Sequence, residues 1–74
     1  MKYLKEVQSE LERASMIYHQ YHSEHEGFAV LLEEVDELWD AVRLKQTDPT
    51  RKDKIKEELI QIAATAHRFL NTFY

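Results

Sequence analysis

Apolar residues recur along this chain at alternating spacings of three and four, the pattern of helices that pack on one side. The first stretch predicts a helix from near Tyr3 to near His22, the second from Ser23 to near Gln46, and the third from Pro49 to the C-terminus. The predicted core-facing seams are Leu4, Val7, Leu11, Ala14, Tyr18 and Tyr21; Phe28, Leu31, Val35, Leu38 and Val42; and Ile55, Leu59, Ile62, Ala66, Phe69 and Phe73. No stretch alternates apolar and polar residues as a strand does, so the sequence predicts an all-α fold.

Two short polar segments mark the predicted helix boundaries. Ser23 and Glu26 have the spacing of a capping box, in which the serine oxygen accepts a hydrogen bond from the amide of residue 26. Gly27 leaves a second possibility open, a continuous first helix with a flexible point at the glycine. Further on, Asp48 can cap free helix amides and Pro49 suits a first helical position, which predicts the stop and the new start between the second and third helices.

Length and composition limit what the chain can do. With 74 residues there is room for one domain, residues 1–74, and a core of that size is marginal alone. The third helix is apolar around more than half of its surface, which predicts that another subunit covers the excess, in a homodimer or homotetramer. The net charge of -4 argues against binding a nucleic-acid polymer, which requires a basic face. The lack of cysteine and of a long apolar run predicts a cytoplasmic protein that does not enter a membrane.

A cluster of acids interrupts the apolar pattern. Glu34 and Glu37 lie one turn apart on the same flank of the second helix, roughly 80° and 140° from its seam. Glu58 flanks the third helix in the same way, with Gln61 on its side. If the two helices pack antiparallel, these four side chains converge at the margin of the bundle. Carboxylate and amide oxygens in that arrangement favour a hard divalent cation with a phosphate behind it.

Other polar and aromatic residues allow both a functional and an ordinary interpretation. Trp39 can stack on a nucleobase or fill an interface. Basic residues near the second connection, Arg43 and Lys54 among them, can contact phosphates or form an ordinary charged turn. His19, His22 and His25 are spaced by three, which allows zinc binding if the first helix is unbroken; exposed histidines near a helix C-terminus are the alternative.

The pattern Glu-Glu-x-x-Glu on one helix, followed by a second acidic motif on the next, resembles the MazG-like all-α nucleotide pyrophosphohydrolases. The resemblance covers roughly residues 26–69 and includes two flanking stretches, His25-Glu26-Gly27-Phe28-Ala29-Val30 and Gln61-Ile62-Ala63-Ala64. It implies an Mg²⁺-dependent enzyme, with Mn²⁺ as a possible substitute, that hydrolyses a nucleoside triphosphate to a monophosphate and pyrophosphate. It also implies a dimer or tetramer in which a four-helix arrangement builds the site.

The resemblance assigns roles to individual residues. Glu34, Glu37 and Glu58 match the metal-binding acids. Glu33 matches the leading glutamate of the first motif, so Glu33 or Glu37 is the expected base that accepts the proton of the attacking water. Gln61 stands where the family has an aspartate. Its amide oxygen can bind Mg²⁺ or a water on it, but it brings no charge and cannot act as a base.

The departure at Gln61 keeps two other interpretations open. In the first, the chain is a helical oligomerisation module whose acids keep it in solution or bind cations loosely. In the second, it binds nucleotides as a regulator without turnover. A titration with Mg²⁺ separates both from an enzyme.

Overall fold

The computed structural model describes all 74 residues and contains three helices and no strand. Helix α1 spans Leu4–Ile17, α2 spans Glu24–Val42 and α3 spans Arg51–Phe73, which confirms the predicted all-α fold with three helices. Helix α3 is central, because it packs against both α1 and α2, whereas the backbones of α1 and α2 do not approach each other. None of the three helices combines the length and the apolar character needed to span a membrane.

The break between α1 and α2 lies where the capping box predicted it, but α1 ends earlier than expected. The Ser23 oxygen accepts a hydrogen bond from the Glu26 amide at 3.1 Å, and Glu26 in turn accepts from the amide of His22 at 3.2 Å. Helix α1 stops at Ile17 rather than near His22. The cause is tertiary: the connection turns Tyr21 into the protein interior, where its hydroxyl accepts a hydrogen bond from Arg68 on α3.

The second connection also differs from the prediction by a few residues. Helix α2 ends at Val42 rather than near Gln46, and the Arg51 guanidinium donates to the Val42 carbonyl at 3.2 and 3.3 Å. A side chain from α3 therefore satisfies a carbonyl at the end of α2. Asp48 accepts from the amide and the hydroxyl of Thr50, at 2.8 and 2.7 Å, and α3 begins after this turn at Arg51 instead of at Pro49.

The packed face of α2 is rotated relative to the predicted seam. Phe28 and Val35, assigned to the seam, are exposed, and Glu34 lies on the packed face itself rather than at its margin. Gly27 explains the rotation, since a Cβ there would lie 2.7 Å from the ring of Phe69. The glycine is therefore a point of close helix approach, not a flexible joint. The buried and half-buried positions of α2 include Gly27, Val30, Leu31, Glu34, Leu38, Ala41 and Val42.

The single chain exposes more surface to solvent than a typical monomeric protein of its mass. Only 6 of 74 residues are buried, and the accessible surface is 5873 Å², against about 4,800 Å² for a monomeric globular protein of this mass. Several residues predicted to face a core are exposed because three helices cannot cover all the apolar surface: Leu4, Tyr18, Phe28, Val35 and Leu59.

Much of the exposed apolar surface lies on one side of the antiparallel pair α2 and α3. Phe28, Leu32, Val35 and Trp39 form a stripe on α2, and Leu59, Ala63, Ala66 and Leu70 form a stripe with the same spacing on α3. Steps of about 100° per residue place both stripes opposite the acidic flank of their helix. We call this surface the far face.

Candidate active site

The antiparallel packing of α2 and α3 brings three carboxylates together. Glu34 and Glu37 project from adjacent turns of α2, and Glu58 projects from α3. One oxygen from each of the three side chains lies within 4.8 Å of the others. No lysine, arginine or histidine forms an ion pair with any of them. We call this group the acidic triad.

Partial burial makes ionisation costly at two members of the acidic triad, because Glu34 and Glu58 are half-buried whereas Glu37 is exposed. Oε2 of Glu34 and Oε2 of Glu58 are inaccessible to solvent and have no hydrogen-bond partner. Burial, together with the charges of Glu37 and Glu34, raises the pKa of Glu58 to about 7. Burial and the charge of Glu37 also raise the pKa of Glu34. Without a cation, the triad therefore retains a proton at a pH where ordinary glutamates have lost theirs.

The triad meets the requirements of a divalent cation. Two oxygens on opposite sides of Mg²⁺, with bonds of about 2.1 Å, lie about 4.2 Å apart. The three oxygens of the acidic triad lie within 4.8 Å of one another, close to that separation. A cation would also provide the missing partner for the two orphaned oxygens of Glu34 and Glu58. The residues present therefore fit Mg²⁺ or Mn²⁺.

A cavity of about 600 Å³ opens beside the triad, within the size range of small-molecule sites. It lies between α1 and α2, and α3 forms its floor. Of the residues predicted for the site, Glu33, Glu34, Glu37 and Gln61 line the cavity, whereas Glu58 does not line it itself. The structure thus brings all five residues of the two acidic motifs to the cavity or to the triad beside it.

The residues predicted to bind substrate lie elsewhere in the single chain. Trp39 belongs to the far face and is 59% exposed, with the Arg43 guanidinium 6.0 Å from the centre of its ring. Arg43 also pairs with Asp40 at 2.6 Å. Lys54 is exposed in the first turns of α3. None of the three lines the cavity.

The histidines do not form a metal site. The rings of His19 and His22 are 4.9 Å apart in an edge-to-face arrangement. They do not converge with His25 or Glu26, and the acidic triad is the only set of three or more potential ligands that comes together in the chain. The break between α1 and α2 removes the continuous helix on which the zinc hypothesis depended.

Several polar residues that line the cavity were not predicted for the site, and four of them form two hydrogen-bonded pairs, Arg13 with Glu10 and Arg68 with Tyr21. Helix α1 supplies Glu10 and Arg13, the connection supplies Tyr21, and α3 supplies Arg68. The sequence does contain a signal for Arg68, because Gln61, Thr65 and Arg68 follow one another at helical spacing on the flank of Glu58. No comparable signal marks Glu10 and Arg13, whose position depends on how α1 packs against α3.

Comparison of the chain with protein-family models, curated proteins and solved structures finds no match.

Proposed function

We propose that the chain is a Mg²⁺-dependent nucleoside triphosphate pyrophosphohydrolase that releases a nucleoside monophosphate and pyrophosphate. The observation that carries the proposal is the convergence of Glu34, Glu37 and Glu58, with two buried and unpartnered oxygens, beside a cavity of about 600 Å³. The resemblance of the two acidic motifs to MazG-like enzymes supports the same reaction. We expect the protein in the cytoplasm, where such substrates are made and used.

The residues divide the chemistry between them. Glu34, Glu37 and Glu58 would hold Mg²⁺ or Mn²⁺, and the amide oxygen of Gln61 would bind the ion or a water on it. The bound ion supplies positive charge that offsets the charge of the phosphates and of the departing pyrophosphate. Water attacks the α-phosphorus, the bond from that phosphorus to the bridging oxygen breaks, and a carboxylate accepts the proton. Glu33, exposed and lining the cavity, and Glu37 are the candidates for that base.

The proposed enzyme is a homo-oligomer, a homodimer or homotetramer, in which the far faces of two subunits pair to form a four-helix bundle. The chain exposes about 1,000 Å² more than a monomer of its mass. A stable interface buries about 800 Å² on each partner, so pairing through the far face would account for the excess. The pairing would also bury Trp39 and bring Arg43 close to a second subunit.

Gln61 keeps two alternative functions open. Since the amide adds no negative charge to the acidic triad, the chain can bind Mg²⁺ more weakly than a site with four carboxylates. A helical oligomerisation module, or a protein that binds nucleotides without turnover, would have the same fold and cavity. Binding of a nucleotide without release of pyrophosphate would favour the second alternative, and the absence of both would favour the first.

The decisive experiment measures pyrophosphate release from each common nucleoside triphosphate and deoxynucleoside triphosphate with Mg²⁺ and with Mn²⁺. We expect release that Glu34→Gln and Glu58→Gln abolish. Asp36→Asn is the matched control, since Asp36 is an exposed acid of α2 outside the cavity, and it should retain activity. No release by the parent chain with any of these nucleotides, at any metal concentration, would contradict the proposed enzyme.

A further inference from the structure

Two permanent positive charges line the cavity, although carboxylates outnumber them. The cations are Arg13 from α1 and Arg68 from α3, two helices that pack together. The carboxylates that line the cavity are Glu10 from α1 and Glu26, Glu33, Glu34 and Glu37 from α2. An anion that carries a bound cation could pair with both kinds of charge.

Arg68 is held in a fixed orientation without a negative partner. Its guanidinium donates to the Tyr21 hydroxyl at 3.2 Å and to the His19 carbonyl at 3.0 Å. It also lies 4.7 Å from the centre of the Tyr21 ring and 5.7 Å from that of Tyr18. All these partners are neutral, so the positive charge of Arg68 is not cancelled. A planar guanidinium that neighbours already orient loses little entropy when it binds an anion.

Arg13 differs from Arg68 because its guanidinium already has a negatively charged partner. Its Nε and one terminal nitrogen donate to the two oxygens of Glu10, three residues earlier on α1. Both residues line the cavity. Phosphate oxygens offer a guanidinium the same two-point geometry as a carboxylate, so Arg13 can exchange one partner for the other.

We propose that Arg13 and Arg68 form the anion-binding half of the cavity, which accepts the polyphosphate chain of a metal-bound ligand. Arg68 binds the chain directly, and Arg13 leaves Glu10 for a phosphate oxygen when the chain enters. This inference rests on the proposed function for the metal at the acidic triad. It narrows the ligand class to polyphosphates, whose linked anionic groups could contact a metal at the acidic triad and the two arginines at the same time.

Calorimetry with inorganic triphosphate in the presence of Mg²⁺ tests the inference without turnover of a nucleotide. Arg68→Gln should weaken binding by about tenfold, the lower end of the range for hydrogen bonds to charged groups. Arg13→Gln should weaken binding by several-fold, because the loss of the Glu10 pair offsets part of what Arg13 gains from a phosphate. Lys56→Gln is the matched control, because it removes one positive charge from an exposed position of α3 outside the cavity, and it should bind like the parent. Tyr21→Phe removes one partner of Arg68 but keeps the guanidinium, and it should bind nearly as well as the parent.

Glu10 provides a test in the opposite direction. Glu10→Gln should tighten triphosphate binding several-fold, because it releases Arg13. If release of Arg13 is the cause, Glu10→Gln should give no gain in the Arg13→Gln background, where there is no arginine to release. A gain of the same size in both backgrounds would show a general charge effect and contradict the exchange. The Arg13 cycle remains decisive even if Arg68→Gln fails to fold.

The outcomes separate this inference from the proposed enzyme. Triphosphate binding that depends on both arginines, without pyrophosphate release from any nucleotide, would leave the inference standing and remove the enzyme. Pyrophosphate release by the parent, with triphosphate binding equal in the parent and both arginine variants, would support the enzyme and contradict the inference. Failure of the parent to bind triphosphate would overturn the inference.

Discussion

The two edges of α2 depart in opposite ways from the usual pattern in which packed positions are apolar and exposed positions are polar. On the cavity edge, Glu34 is packed against α3 with a buried oxygen that has no partner. On the far face, the aromatic rings of Phe28 and Trp39 are 60% and 59% exposed. A charged side chain therefore occupies a packed position that is normally apolar, and aromatic side chains occupy exposed positions that are normally polar.

The cavity edge and the far face of α2 would be stabilised by different kinds of partner. The cavity edge needs a small positive charge, because the three carboxylates raise one another's cost of ionisation and no side chain neutralises them. The far face exposes apolar rings to solvent, which the proposed pairing with a second copy of the chain would cover. A metal ion would therefore act on the ionisation of the acidic triad, and a second subunit would act on the stability of the whole fold. The two requirements can be tested separately.

The largest effect is expected at the far face. Phe28→Glu combined with Trp39→Glu should dissociate the oligomer and lower the free energy of unfolding by at least about 3 kcal/mol per chain, since aromatic residues at the centre of an interface contribute about 2 kcal/mol or more each. The melting temperature should fall by about 15 °C. Sedimentation and melting at several protein concentrations provide the measurement.

Ile17→Glu is the matched control for the far-face variant. Ile17 is 59% exposed, like Trp39, but it lies at the end of α1 and outside the far face. It should leave the oligomer intact. A parent chain that sediments as a monomer, with a melting temperature independent of dilution, would rule out pairing through this surface.

The next effect is expected at the acidic triad. At a concentration about 100 times its dissociation constant, Mg²⁺ should stabilise the parent by about 2.7 kcal/mol. Glu34→Gln with Glu37→Gln should abolish this gain. The same variant should be more stable than the parent without metal, because the carboxylate repulsion is gone. Thermal melting with Mg²⁺ and with a chelator measures both changes.

A double variant of two exposed acids, Asp36→Asn with Glu12→Gln, controls for net charge. It should respond to Mg²⁺ as the parent does. A triad variant that gains as much stability from Mg²⁺ as the parent would place the metal elsewhere.

The helical period predicted the three helices, and together with the assumption of antiparallel packing it also predicted which acids meet. The sequence correctly placed the start of α2 at the Ser23 cap, where a single hydrogen bond decides the boundary. The sequence did not predict the features that depend on contacts with residues far away along the chain. The rotation of α2 depends on the fit of Phe69 against Gly27, and the end of α1 depends on Arg68 and Tyr21.

The cavity shows the same limit. Glu34, Glu37 and Glu58 were predictable because two adjacent antiparallel helices bring them together. Glu10 and Arg13 were not, because nothing in the spacing along α1 indicates that this helix borders the same cavity. The sequence predicted the excess apolar surface of α3 but not the exposure of the α2 stripe, since Phe28 and Val35 have the period of a core seam whether the covering surface is another helix of this chain or a second copy.

The stability of the metal-free chain should depend on pH in a direction set by Glu58. Its pKa rises from 4.5 to about 7 on folding, so the folded chain binds this proton more tightly than the unfolded chain does. The contribution of this proton to the free energy of unfolding is fully present below about pH 4.5 and is lost as pH rises through about 7. The raised pKa of Glu34 acts in the same direction.

Melting in a chelator should therefore show lower stability at about pH 8 than at about pH 5.5, and the gain from Mg²⁺ should be larger at the higher pH. Glu58→Gln should reduce the slope, since the amide does not titrate. The lowered pKa values of Glu10 and Asp48 act at more acidic pH and do not affect this comparison. A parent whose gain from Mg²⁺ is the same at both values would contradict the assignment of Glu58 as a ligand.

The smallest effect, and the one most specific to this chain, is expected at Gln61, which lines the cavity on the same flank of α3 as Glu58. Gln61→Asp adds a fourth carboxylate and should tighten Mg²⁺ binding by up to about tenfold, or about 1.4 kcal/mol. Gln46→Asp makes the same change at an exposed position and should leave the affinity unchanged. Calorimetric titration with Mg²⁺ measures this part of the prediction.

Pyrophosphate release over the same range of Mg²⁺ then shows what the amide of Gln61 does. If its oxygen serves only as a weak ligand, Gln61→Asp should be as active as the parent or more active at low metal. If its NH₂ group donates to a phosphate oxygen, activity should fall although metal binds more tightly, because a carboxylate cannot donate that hydrogen bond. An Mg²⁺ affinity that does not change in Gln61→Asp would remove residue 61 from the metal site, and the acidic triad alone would then have to hold the ion.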